Sequence, residues 1–409
     1  MFYNIISEYW LERKLSLQRT LEEKWQASSQ ETNQKCLRIN FNSMGLGING
    51  GNRLILEIAS RMAAKGHSVS INAIGHYSDA EWFPNRENIK LNFSFPTKAR
   101  RLIEQKILKR NFREVQGQLL TEMASNDQYD INIATYCLTA GPTIKTNNGS
   151  MFYLVQNYEP LFFTDPLLKT QAEQSYNLPL TKLCVSKWLK QKVGGVYIGN
   201  GVNTKVFHST NSFSEKESNS IIYLYRGLSW KRDALAIQTL KQLHSLMPSI
   251  EVHLVARNQP QEFDLNFPYT LHIDISDREL AELYSKTRVL LFTSEFEGYG
   301  LPPLEALACG TNVVSTNFTG NEFLENGYNC LLATDSDGLA RSSLRLMIDD
   351  KVSREQLQNS RTTVNCHDFE HVTRRALEAF QVYASDKIEA YLNISGIDNE
   401  YHETREVET

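Results

Sequence analysis

The stretch EGYGLPPLEALACG, residues 297–310, sets two carboxylates, Glu297 and Glu305, eight positions apart, with two glycines and a proline pair between them. Gly298 and Gly300 let the backbone turn sharply, and Pro302 and Pro303 suit the first turn of a helix that Gly310 stops. Free amides at such a helix start bind anions, and a phosphate fits there. Carboxylates pointing at a phosphate would repel it, so Glu297 and Glu305 are expected to accept hydrogen bonds from hydroxyls on either side, a sugar at one end and a ribose at the other. YRGLSWKR places Arg226 and Lys231 just after a strand, where two cations can reach a diphosphate. Each piece alone has a plainer explanation: Glu305 complements the helix dipole, Glu297 is solvated, and loop cations usually do nothing. Together the loops supply amides, cations and hydroxyl acceptors.

These residues need strands and helices to hold them. LRINF (37–41) runs into MGLGINGG and the helix NRLILEIASRMAAKGH, whose Leu54, Ile55, Ile58, Ala59, Met62 and Ala63 form one buried stripe. SVSINAIG (68–75), IKLNFSF (89–95), YDINIAT (129–135), MFYLVQ (151–156) and KLCVS (182–186) are further strands. SFSEKESNS, after IGNGVNTKVF (198–207), is polar and without apolar period, and reads as a boundary or exposed loop. The alternation then restarts with IIYLY (221–225), VHLVA (252–256), YTLHI (269–273), VLLFTS (289–294) and TNVVST (311–316). The expected fold is α/β, with two Rossmann-like, doubly wound parallel sheets facing a cleft and ligands at the carboxyl ends of the strands.

The expected organisation is an amphipathic helical extension over 1–35, a first α/β domain over 36–200 completed by a C-terminal helix at 371–392, a second over 201–370, and an acidic, disordered tail over 393–409. The 409 residues exceed what one core usually holds. A net charge of -4 gives no global field for nucleic acid. Cys36, Cys137, Cys184, Cys309, Cys330 and Cys366 have no metal-like spacing and read as reduced thiols. The charged N-terminus is no signal peptide and no apolar run spans a bilayer, so a cytoplasmic chain is expected, soluble or peripheral on a membrane. KARRLIEQKILKRNFRE (98–114) carries seven cations against two acids and could lie on anionic lipid or grip an acceptor's phosphate; the alternative is a solvated helix.

Some signals are discounted. GLGING (45–50) satisfies a dinucleotide fingerprint, but the next strand ends without the acid that ribose binding wants. DSD (335–337) precedes a helical pattern and reads as a helix cap rather than a metal site, so neither metal nor cofactor is expected. His67 reads as a helix-end residue, and Trp188 and Trp230 as packing groups.

SEFEGYGLPPLEALACGTNVVST is similar to the E-x(7)-E signature of glycosyltransferase family 4, the retaining GT-B enzymes, and GNEFLENGYNCLL, IGNGVNTKVF and NGGNRLILEIASRMAAKGHSV resemble its neighbouring segments, over roughly residues 37–392. YLVQNYEPLFF and RGLSWKRD look most like WsaF-type rhamnosyltransferases, which use dTDP-rhamnose. The resemblance implies that Arg226 and Lys231 hold the diphosphate of a UDP-, GDP- or dTDP-sugar, that Gly298, Tyr299, Gly300 and Leu301 support it, that Glu305 binds the ribose and that Glu297 contacts the transferred sugar. Gly50 and Gly51 would let backbone approach the reaction centre, and Gln156, Asn157, Tyr158 and Glu159 would lie on the acceptor or sugar side. Many family members carry a histidine where this chain has Gln156 or Asn157, so a leaving phosphate oxygen would take the proton. The acceptor would be a glycan or a lipid-linked saccharide. A catalytically silent binding module and another GT-B enzyme, such as an epimerase, are the rival readings.

Overall fold

The computed structural model describes residues 36–94, 112–260 and 263–383. The expected N-terminal helix, nearly all of the basic segment 98–114 and the acidic tail lie outside them. The strands are β1 (Arg38–Ser43), β2 (Ser68–Ile74), β3 (Ile89–Ser94), β4 (Ile131–Ala134), β5 (Ser150–Val155), β6 (Thr181–Cys184), β7 (Val196–Tyr197), β8 (Glu217–Leu224), β9 (Glu251–Ala256), β10 (Thr270–Ile273), β11 (Thr287–Phe292), β12 (Asn312–Ser315) and β13 (Leu331–Leu332). The helices are α1 (Gly50–Ala64), α2 (Phe112–Ser125), α3 (Cys137–Lys145), α4 (Pro166–Ser175), α5 (Lys187–Val193), α6 (Asp233–Leu246), α7 (Asp277–Lys286), α8 (Leu301–Ala308), α9 (Ser336–Ile348), α10 (Asp350–Asn365) and α11, described over 369–383.

The described residues form two compact units, one within 36–184, 193–198 and 372–383, the other within 185–192 and 199–371. The first sheet runs β3-β2-β1-β4-β5-β6-β7 and the second β10-β9-β8-β11-β12-β13, every pairing between strands being parallel. Both orders reverse direction beside their first strand, as doubly wound folds do. Strands covered on both faces need apolar side chains at successive positions, and all six residues of TRVLLF in β11 are buried. On α1 the expected stripe faces inward, with Ala63 half-buried and Asn49 capping the helix by accepting from the Asn52 amide at 2.8 Å. In the first unit Phe380 of α11 meets Phe152 of β5 edge-on at 4.8 Å.

One expectation is corrected. SFSEKESNS is not a loop throughout, because β8 begins at Glu217 and its polar start pairs with its neighbours, Glu217 with Thr287 and Ser220 with Glu251. Backbone ladders, not apolar side chains, extend the strand there. Lys216, just before it, is buried, and burial pushes its ammonium down to about 8.

The first sheet also buries a row of amides. Asn40, Asn42, Asn72 and Asn132 are each 0% exposed. Asn42 Nδ2 donates to Asn132 Oδ1 at 2.8 Å and to Thr143 Oγ1 at 2.9 Å, Asn40 Nδ2 to Asn132 Oδ1 at 2.9 Å, and Asn92 Nδ2 to Asn72 Oδ1 at 2.9 Å. Each amide is tolerated because its neighbour across the strands is another amide.

Candidate active site

In the second unit β8 and β11 are adjacent central strands, and their carboxyl ends form the switch point. Arg226, Lys231, Phe292, Thr293, Ser294 and Pro302 line one small cavity there. The β8–α6 loop that carries both cations is clamped from two sides. Asp233 accepts from the Tyr223 hydroxyl through Oδ1 and from the Gly227 amide through Oδ2 at 3.0 Å, while Thr293 Oγ1 donates to the Lys231 carbonyl at 2.7 Å and the Glu295 amide to the Trp230 carbonyl at 2.8 Å. Trp230 stacks on Phe296 at 5.7 Å.

Arg226 is exposed, one Nη1 contact going to the Tyr225 carbonyl at 3.0 Å. Lys231 donates to the Glu297 carboxylate, in an ion pair whose side chains are 19% and 13% exposed. The group expected on the diphosphate and the group expected on the sugar therefore already touch.

The loop after β11 is shaped by two glycines. Gly300, the N-cap of α8, has φ 92°, and a Cβ there would lie 2.7 Å from the Phe318 ring. Gly320 has φ 97°, and a Cβ there would lie 2.1 Å from the Glu297 carbonyl oxygen. Phe296 bridges to Thr319, and the Glu297 amide donates to the Thr319 carbonyl at 2.8 Å, so this strand-like contact sets Glu297. Gly298 is buried, as is Leu301 at the head of α8. The Tyr299 ring is not at a ligand-facing surface: it is 2% exposed and packs on Phe323 at 5.4 Å, an aromatic side chain gaining more from that stack than from water. Glu305 is 5% exposed on α8. The DSD segment is used locally, Asp335 capping α9 through the Gly338 amide at 2.8 Å and Asp337 pairing with Arg341 at 2.7 Å.

In the first unit a cavity of about 560 Å³ opens at the matching place, beside the ends of β1 and β4 and the start of α1. Gly51, Asn49, Asn52, Thr135, Gln156 and Asn157 are among its walls, which contain no lysine or arginine among the described residues. Gly50 heads α1. Gln156 Nε2 donates to the Thr135 carbonyl at 3.2 Å, while its buried Oε1 has no partner among the described residues and would be 3.0 Å from a Cβ at Gly51. Asn157 Oδ1 accepts from the Tyr158 amide at 2.8 Å, and the Tyr158 ring stacks on Tyr176 at 5.8 Å.

Glu159 lies at the floor of this cavity, 2% exposed, and acts as a fastener more than a surface contact. Its Oε2 accepts from the Cys137 amide, the first residue of α3, at 2.5 Å and from the Tyr153 hydroxyl at 2.8 Å, and its own amide donates to the Tyr176 hydroxyl at 3.0 Å. Burial outweighs these donors and raises the carboxyl to about 7. An acid whose folded pKa is raised stabilises the fold fully below its unfolded value near 4.5 and loses that contribution as pH rises to about 7. Glu159→Gln therefore removes that slope: wild type minus variant stability, from denaturant unfolding at several pH values, should fall by about 3 kcal/mol between pH 4.5 and 7. A pH-independent difference would refute this account.

The expected residues thus fall into two groups: Gly50, Gly51, Gln156, Asn157, Tyr158 and Glu159 in the first unit, and Arg226, Lys231, Glu297, Gly298, Tyr299, Gly300, Leu301 and Glu305 in the second. Asp233, Thr293, Phe318 and the cavity amides Asn49 and Asn52 escaped sequence reading. Only Asn49, an N-cap residue before a periodic apolar run, carried a local signal.

Residues 221–349, which include the second cavity and the E-x(7)-E segment, match the family model described as "Glycosyl transferases group 1". The match lies within the second unit and covers about a third of the chain. Among curated proteins, the chain is 29% identical over 242 residues to "O-antigen biosynthesis protein RfbC" of Myxococcus xanthus, covering 56% of this chain and 18% of that protein. It is 24% identical over 213 residues to "O-antigen chain mannosyltransferase RfbU" of Salmonella typhimurium, covering 47% and 57%, so the chain spans only part of the length of either relative. Anabaena Alr3699/HepE, solved in complex with UDP-glucose, aligns with a TM-score of 0.68 at 16% identity over 84% of this chain and 99% of that one. The two parallel-sheet units are those of the GT-B fold.

Proposed function

We propose that the chain is a retaining glycosyltransferase that moves a sugar from a nucleotide-sugar to an acceptor hydroxyl without a metal. The observation that carries this reading is the meeting of Arg226, Lys231 and the α8 N-terminus around one cavity at the switch point of the second sheet. As the bond between sugar and nucleotide breaks, negative charge grows on the departing diphosphate, and fixed cations and amides stabilise it. Lys231 turns from Glu297 to the phosphates, which frees the Glu297 carboxylate for a sugar hydroxyl. Glu305 binds the ribose, and the acceptor hydroxyl attacks from the face that the nucleotide leaves, giving its proton to a phosphate oxygen.

The cavity of the first unit suits the acceptor. Among the described residues its walls lack cations and Gln156 Oε1 has no partner, which calls for a donor such as a hydroxyl and favours an uncharged saccharide. The curated relatives named for O-antigen synthesis support a cell-surface glycan as that saccharide. For the donor, RfbU is named for mannose, HepE holds UDP-glucose, and the sequence resemblance points to dTDP-rhamnose. Among the described residues no helix is long and apolar enough to cross a membrane, and work at the cytoplasmic membrane surface through residues 98–114 belongs to the same proposal.

A thermal-shift screen against UDP-, GDP-, dTDP- and CMP-sugars tests the reading. One nucleotide class should raise the melting temperature, a ligand at about 100 times its dissociation constant adding about 2.7 kcal/mol, and Arg226→Ala should abolish the shift. NMR of the product should show the donor's anomeric configuration, and turnover should survive EDTA. No shift with any donor, or an inverted product, would overturn it.

A further inference from the structure

The amino ends of the second sheet, opposite the cavity that holds Arg226 and Lys231, gather two carboxylates and two imidazoles. Glu217 and Glu251 begin β8 and β9, His253 follows on β9, and His272 lies on the adjacent edge strand β10. Single ligand atoms of Glu217, Glu251 and His253 all lie within 4.8 Å of one another. His253 Nε2 is 3.1 Å from Glu217 Oε2, and His253 Nδ1 is 3.3 Å from His272 Nε2. Donors about 2.1 Å from one zinc ion, set at a tetrahedral angle, stand roughly 3.4 Å apart. Small side-chain rotations would therefore close the three groups on an ion.

Two independent features favour an ion over a chance cluster. The first is charge: among the described residues neither Glu217 nor Glu251 forms an ion pair with a lysine or arginine, and the one imidazole between them contacts Glu217 alone. The second is orientation. His272 holds the far nitrogen of His253, the arrangement by which outer partners fix a metal-binding imidazole and its tautomer.

We propose that Glu217, Glu251 and His253 form a site for a zinc-like divalent cation, with water completing its coordination and His272 positioning the imidazole. An imidazole among carboxylates favours zinc over magnesium or calcium. The ion ties β8 to β9. It stands roughly 23 Å along β8 from the cavity end, judged from the strand's rise, so it serves stability and not sugar transfer.

Isothermal titration of the full chain, stripped with EDTA and dialysed, tests this with zinc chloride. One equivalent should bind at micromolar concentration and raise the melting temperature by several degrees, whereas magnesium and calcium chloride should do neither. Glu217→Gln and the exposed Glu251→Gln should each weaken zinc at least tenfold, and His272→Asn about 10- to 100-fold, the usual loss for an outer partner. Circular dichroism of the metal-free variants checks that they fold, and the exposed Glu251 keeps the test sound if a less exposed position does not tolerate change. Absence of zinc binding, or binding in Glu217→Gln and Glu251→Gln as strong as in the wild type, overturns the proposal, the latter placing the ion on other groups such as the exposed Cys36 and Cys366.

Discussion

Arg226→Ala and Lys231→Ala should each lower turnover by about two to three orders of magnitude, the usual cost of removing one preorganised electrostatic stabiliser. The two losses have different companions. Arg226 is exposed and makes one backbone contact, so its removal should leave stability within about 0.5 kcal/mol of wild type. Lys231 is partnered with the 13%-exposed Glu297, so Lys231→Ala leaves a carboxylate without its cation and should also destabilise the second unit. Glu297→Gln in the Lys231→Ala background should restore stability without restoring turnover. Single-turnover rates with saturating donor separate chemistry from binding. Near-normal rates in both alanine variants would remove these residues from the mechanism.

Gly320→Ala should be severe as well. Its φ of 97° strains any side chain, typically by about 1–3 kcal/mol, and its Cβ would meet the Glu297 carbonyl oxygen at 2.1 Å. That oxygen belongs to the backbone of Glu297, whose amide is tied to the Thr319 carbonyl, and it cannot swing away as a side chain would. The loop must move, and Glu297 and its bond to Lys231 move with it. Denaturant unfolding should show a loss of about 3 kcal/mol or more, and turnover measured where the variant is still folded should drop at least tenfold. Gly327→Ala is the matched control: its φ of 78° is also left-handed, but nothing lies within 4 Å of the added carbon, so it should lose only the strain and keep its activity. Equal stability losses in the two variants would show that strain alone, and not the contact with Glu297, makes Gly320 necessary.

The sequence by itself determined the alternation of strands and helices, the restart that divides the chain into two α/β units, and the loop chemistry of residues 226–231 and 297–305. Those features are local: strand ladders need runs such as VLLF, helix starts need caps and prolines, and tight turns need glycine. Tertiary structure alone decided what depends on distant neighbours. SNS in 218–220 reads as loop yet is strand because β9 and β11 pair with it. Asn40, Asn42, Asn72 and Asn132 read as polar yet lie in a core because each amide meets another across the sheet. Tyr299 reads as a ligand contact yet stacks on Phe323, and Glu159 is held by Cys137 and Tyr153. Lys231 and Glu297, 66 residues apart, were expected to serve different parts of a ligand, and folding also sets them against each other. Hydrogen bonds and charge pairs are satisfied by whichever groups folding brings within reach, and local sequence does not specify that choice.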